Sequence, residues 1–184
     1  MYAQKRIKRL VNVFHENLTD YKKEWYNEIQ LRYEFIEPFF TELGWDMSNE
    51  QGLEKGCKGV LHDDIIEVDG APRVIDYSFR IGQVRKFILK AGKDIKEDSH
   101  SAYQLRQMGL SIGLPLNILT DFEHFAVYDC RSKPTIADEA KDSRILFLKY
   151  TDYQSRWNEI HALFSKKSML QGFSFDRYIA SNQV

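Results

Sequence analysis

"VIDYSFRIGQVRKFILKAGKD", Val74 to Asp94, decides how the rest of the chain is read. Two runs rich in β-branched and aromatic residues flank a Gly82-Gln83 turn, which is the pattern of a β-hairpin. Alternation along the first run predicts Val74, Asp76, Ser78 and Arg80 on one face and Ile75, Tyr77 and Phe79 on the other. The second run ends in Lys90, Ala91, Gly92 and Lys93. One strand therefore carries an acidic residue, and the end of its neighbour carries lysines.

Upstream, "GVLHDDIIEV" has the same β-rich character and is joined to the hairpin by the turn "DGAP", giving an expected antiparallel three-stranded meander. Downstream, "HSAYQLRQMGLSIGL" reads as a helix, followed by the strands "PLNILT", "FAVYD" and "SRILFLKY" and a closing helix in "TDYQSRWNEIHALFSK". Before the meander, Ile7, Leu10, Val11, Phe14 and Leu18 have helical spacing, with Lys5, Arg6, Lys8 and Arg9 on the other faces. A second helix is expected from about Lys22 to Leu43. Trp25, Ile29, Phe35, Ile36, Phe39 and Leu43 are its candidate buried stripe, and Pro38 is expected to kink or divide it. A meander, a helix and further strands predict an α/β (α+β) fold with a mixed central β-sheet flanked by helices.

The chain has 184 residues, 43% hydrophobic, 29% charged and 14% aromatic, which suits one globular domain with an aromatic core. No apolar run approaches the roughly 20 residues needed to cross a bilayer, and the N-terminus lacks a signal-peptide core, so a cytoplasmic protein is expected. Cys57 and Cys130 stand far apart and form no CxxC pattern, so they are read as buried free thiols. The net charge of −1 supplies no bulk attraction to nucleic acid, and any such contact must come from a local patch.

Hydrolysis of a phosphodiester calls for a divalent cation, and hard cations such as magnesium take carboxylate oxygens. Glu28 on the second helix, Asp76 on the meander and Lys90 on its last strand are the residues that topology could bring together. Asp63 and Asp64 are adjacent, so in a strand they face opposite ways, and surface or turn roles suffice for them. His15, His62, His100, His124 and His161 have no metal-ligand spacing.

"YNEIQLRYEFIEPFFTELGWDM", "IDYSFRIGQVRKFIL", "AYQLRQMGLSIGLPLNILTDFEHFAVYDC" and "WNEIHALFSKKSMLQGFSFDRY" resemble, in this order, the N-terminal nuclease domain of type I restriction subunits and type IIG restriction-modification enzymes. The resemblance spans about 26–178. It implies a restriction-endonuclease-like PD-(D/E)XK fold that cuts double-stranded DNA with Mg2+, beside methyltransferase, specificity or motor domains. Carried over by position, the family's helical Glu falls on Glu28, the Asp of its Pro-Asp pair on Asp76, and the Gln of its Gln-x-x-x-Tyr motif on Gln104. Glu28 and Asp76 are then the expected metal ligands, and Glu28, Asp76, Lys90 and Gln104 the expected catalytic positions. The expected organisation of 1–184 is an N-terminal helix at 1–21, a nuclease-like core at 22–178 and a tail at 179–184.

The sequence departs from that pattern at its centre. Ile75 stands for the proline, Met108 for the tyrosine, and the Glu-x-Lys falls on Lys90 and Gly92. Replacing a carboxylate by Lys90 changes the local charge by two units. At about 4 Å and an effective dielectric near 20, each unit interaction is worth roughly 4 kcal/mol at the upper end. Metal binding is therefore expected to fall, and Gly92 removes the ammonium that would stabilise charge on the phosphate. The expectation is an endonuclease-type domain with cleavage weak or lost. The alternatives are an active site rearranged around Lys90 or Lys93, with Asp94 or Glu97 as carboxylate, and a non-catalytic domain that binds DNA or a partner.

Overall fold

The computed structural model describes residues 2–173 together with Phe175 and Tyr178, so the expected tail at 179–184 lies outside the described residues. Two helices open the chain, α1 (Tyr2–Glu16) and α2 (Leu18–Tyr21). A continuous helical rod follows, made of α3 (Glu28–Leu31), a π-helical stretch (Arg32–Ile36) and α4 (Glu37–Glu42). It starts six residues later than the periodicity predicts. Asn27 sets that start, because its side chain accepts from the Gln30 amide at 2.9 Å while its own amide donates to Gln30 Oε1 at 3.1 Å. The π-helical turn lies just before Pro38, where a residue without an amide hydrogen breaks the regular ladder; Glu37 N–H instead reaches back to the Arg32 carbonyl. Phe35, Ile36, Phe39 and Leu43 are buried as expected, but Trp25 and Ile29 are 64% and 73% exposed.

Six strands form one sheet in the order β1 to β6: β1 (Val60–Val68), β2 (Ala71–Ile81), β3 (Val84–Ala91), β4 (Leu116–Thr120), β5 (His124–Asp129) and β6 (Arg144–Lys149). Every neighbouring pair is antiparallel except β3 and β4, which run parallel and are joined through α5 (Ser99–Ser111). The expected mixed sheet flanked by helices is what the chain forms, and it is consistent with a restriction-endonuclease-like fold. Asp69 and Gly70 turn β1 into β2 with φ of 51° and 77°, the two positive values that a tight hairpin turn demands. The closing segment folds as α6 (Trp157–Phe164) and α7 (Lys166–Leu170).

Each sheet face buries its own cluster. One joins α1, the helical rod and α6 to Tyr77, Phe79, Phe87, Leu89, Ile118 and Phe125. Phe79 and Phe87 stack at 4.4 Å across the hairpin, and Trp45 packs on both and donates its indole N–H to the Phe164 carbonyl at 2.8 Å. The other face packs Ile66, Ile75, Ile88, Leu119 and Tyr128 against Ala102, Leu105 and Met108 of α5. Both cysteines are free. Cys130 is buried in that second cluster with its thiol pushed up to about 12 by desolvation, whereas Cys57 is exposed, contrary to its expected burial. Among the described residues no helix is long and apolar enough to cross a membrane.

Candidate functional site

The simple alternation predicted for β2 fails at Asp76, and the failure makes the site. Ile75 packs into the α5-side cluster whereas Tyr77, two residues on, packs into the aromatic one. The β1–β2 ladder shows the same break: pairing runs from Val60↔Phe79 to His62↔Tyr77 and resumes at Asp64↔Ile75, leaving Asp63 and Asp76 unpaired between. Asp63 takes φ of 47°, a left-handed conformation that Asp tolerates better than most residues. A local defect of this kind re-aims side chains. Here it releases two carboxylates from the alternation rule toward the start of the helical rod.

Arg32 gathers them. Its guanidinium donates to Asp63 Oδ1 at 3.2 Å and to Asp76 Oδ1 at 3.4 Å, and its Nε donates to the Tyr77 hydroxyl at 3.0 Å while lying 4.7 Å over that ring. Tyr77 passes the chain on by donating to Glu37 Oε1 at 2.9 Å. The Arg32 side chain is only 14% exposed, so these partners offset the cost of burying its charge. Asp76 Oδ2 accepts from the Ala91 amide at 2.7 Å, which ties the acidic residue to the end of β3. Tyr77 faces Leu89, and one more step along that ladder puts Lys90 opposite Asp76.

Glu28 completes the group at the first turn of α3. Desolvation raises its carboxyl above the usual range, Asp76 and Asp63 push it the same way, and Lys90 and Arg32 pull it back. Glu28, Asp76 and Lys90 thus share one neighbourhood. Gln104 is not joined to it: its amide contacts His100 at 2.9 Å on α5, the helix that covers the other face of the sheet.

Sequence reasoning missed Arg32 and Asp63. The signal for Arg32 was present, since it follows Glu28 by one helical turn and so shares its face. The signal for Asp63 was absent, because strand periodicity cannot show where a ladder breaks. Asp64 does diverge from Asp63 as expected, pairing with Arg85 at 2.7 Å.

Gly92 is enclosed. A Cβ there would meet Ile95 Cγ2 at 2.7 Å and Leu119 Cδ1 at 3.6 Å, and Ile95 is fully buried, so a longer side chain at this position requires Ile95 to move. Because β3 ends at Ala91, Lys93 does not continue the strand as expected; its Nζ lies 3.4 Å from the Lys23 carbonyl. Lys93 and Asp94 border a recess of about 40 Å3 shared with Glu28, Tyr26 and Gly92. That volume suits a few waters and not a nucleotide, so a nucleic acid would lie across the rim.

These residues do not fit a divalent ion as they stand. Such an ion takes about six oxygen ligands in magnesium's case. Among the described residues no three His, Cys, Asp or Glu side chains are grouped to hold one. Both Asp76 oxygens already have donors, and the charges of Lys90 and Arg32 act on Glu28.

Compared with known proteins, the chain is 30% identical over 177 residues to the Escherichia coli type II restriction enzyme and methyltransferase RM.Eco57I. The match covers 94% of this chain and 18% of that protein. It supports a relationship to restriction-modification enzymes. No family model and no solved structure matches.

Proposed function

We propose that the 184 residues form one restriction-endonuclease-like domain of a restriction-modification system, with a nuclease site whose cleavage is weak or lost. The observation that supports this reading is Asp76 at the break in the β1–β2 ladder, tied by Arg32 to Asp63 and by the Ala91 amide to the end of β3, with Glu28 and Lys90 close enough to influence each other's charge, at the positions where the resemblance puts the family's Glu, Asp and Glu-x-Lys glutamate. The substrate class in this reading is double-stranded DNA in the cytoplasm, and the partners are methyltransferase, specificity or motor domains. The kinship to a protein whose name joins restriction enzyme and methyltransferase supports both. Magnesium is the family's cofactor, but this donor set gives little reason to expect it to bind, and Gln104 serves as a contact outside the carboxylate group.

Recognition of a phosphate backbone through a local patch is salt-dependent, with affinity falling as counterions compete. Duplex DNA should therefore bind the purified protein at low ionic strength and dissociate as salt rises, read by fluorescence anisotropy on a labelled duplex. No binding at any salt concentration would remove the reading. The proximity of Lys93 and Asp94 to Glu28 favours one second reading, a rearranged active site, which nicking of a plasmid in Mg2+ or Mn2+ would establish.

A further inference from the structure

We propose that Arg32, in contact with two of the carboxylates, and Lys90, beside them on β3, are the resident cations of this site and supply the positive charge a divalent ion would bring, so that the wild-type domain does not take up Mg2+ or Mn2+. The inference rests on reading the hairpin as a nuclease site and goes beyond it by assigning these two residues a role.

Lys90 lies one step beyond the Tyr77–Leu89 pair and just before Ala91, whose amide donates to Asp76 Oδ2 at 2.7 Å, and its charge opposes the rise of the Glu28 carboxyl. It is half-buried, and among the described residues its ammonium makes no hydrogen bond and no ion pair, so its charge acts on the carboxylates without contact. Arg32 bridges the other two carboxylates, Asp63 and Asp76. Three carboxylates thus share their surroundings with two positive charges, Arg32 in direct contact with two of them and Lys90 paired with none, and one formal negative charge is left. A free divalent ion entering here gains attraction from the carboxylates but is repelled by Arg32 in contact with two of them and, from further off, by Lys90, and a unit charge is enough to offset weak magnesium binding. The closed space over Gly92 agrees with this arrangement, because no second lysine can be restored beside Lys90 without moving Ile95.

The test is Mn2+ titration followed by electron paramagnetic resonance, on wild type, Lys90→Glu, Lys90→Gln and Lys90→Glu with Asp76→Asn. Wild type should show no saturable Mn2+ site. Lys90→Glu should gain one, roughly tenfold or more tighter than any residual wild-type binding given the two-unit change of charge. Lys90→Gln should fall between, and adding Asp76→Asn to Lys90→Glu should abolish the gain. A stoichiometric wild-type Mn2+ site that Asp76→Asn removes would overturn the proposal, and so would a folded Lys90→Glu protein with no gain. Lys90→Gln, a milder change, keeps the comparison open if the glutamate variant does not fold. Failure of the underlying reading is distinguishable: DNA binding would then be absent at low salt in every variant, whatever the Mn2+ result.

Discussion

The two ends of the β2–β3 hairpin are built on different physics. At the turn end, Phe79 and Phe87 stack at 4.4 Å, are almost wholly buried and pack on Trp45 and Phe40. At the open end, Asp76, Lys90 and Gly92 meet Glu28, Arg32 and Asp63 in a half-exposed group of charges. The first end is held by dispersion and apolar burial, and its stacked pair makes no contact with the charged residues of the second. Substituting the charged groups at the open end is therefore expected to cost less than truncating the stacked rings. The difference teaches that an intact fold carries no information about whether the chemistry at the hairpin's mouth survives.

The largest expected effect attacks the stacked end. Phe87→Ala should destabilise the fold by ~3–5 kcal/mol in chemical denaturation, as truncation of a buried aromatic does. An equal loss from a substitution at the charged end would break the comparison. Next comes Gly92→Lys, which drives a side chain into Ile95 and should cost ~1–3 kcal/mol as overpacking. Combined with Ile95→Ala, its cost should be well below the sum of the two single changes, and strict additivity would show that the two positions do not touch.

Arg32→Ala should cost ~1–3 kcal/mol, because it strips the donor from Asp63, Asp76 and the Tyr77 hydroxyl at once. Arg32→Lys should recover only part, since one ammonium cannot reproduce the forked geometry.

The smallest effect sharpens the comparison through pH. The folded-state pKa of Glu28 is raised, so the protonated form is favoured by folding. Its contribution is fully present below the ordinary glutamate pKa and is lost as pH rises through the raised value. Glu28→Gln should accordingly match wild type in acid and exceed it at neutral pH, by no more than ~0.5 kcal/mol for so exposed a residue. A variant less stable than wild type at neutral pH would contradict the sign.

Much of this architecture was legible in the sequence. The meander, the α5 crossover and the later strands follow from periodicity and turn residues, because each strand buries a face and each turn needs Gly, Asp or Asn. The helical rod was misplaced at its start, where Asn27 and Gln30 cap it locally and override the apolar spacing that had drawn Trp25 and Ile29 into the core. Glu28, Asp76 and Lys90 were expected by position, but their surroundings were not legible. The broken ladder at Asp63 and Asp76 arises from pairing between strands, and the closure of Gly92 by Ile95 arises from a chain reversal at Asp94, which takes φ of 52°. Neither leaves a period in the sequence.

The central claim, a retained nuclease scaffold whose cleavage is weak or lost, is tested most directly by incubating supercoiled plasmid with the pure protein in Mg2+ and in Mn2+. Wild type is expected to leave the plasmid intact, while the Lys90→Glu, Gly92→Lys, Ile95→Ala triple variant nicks it and adding Asp76→Asn stops the nicking. Nicking by wild type as fast as by the triple variant, and abolished by Asp76→Asn, would contradict the claim and show that this hairpin is a working active site.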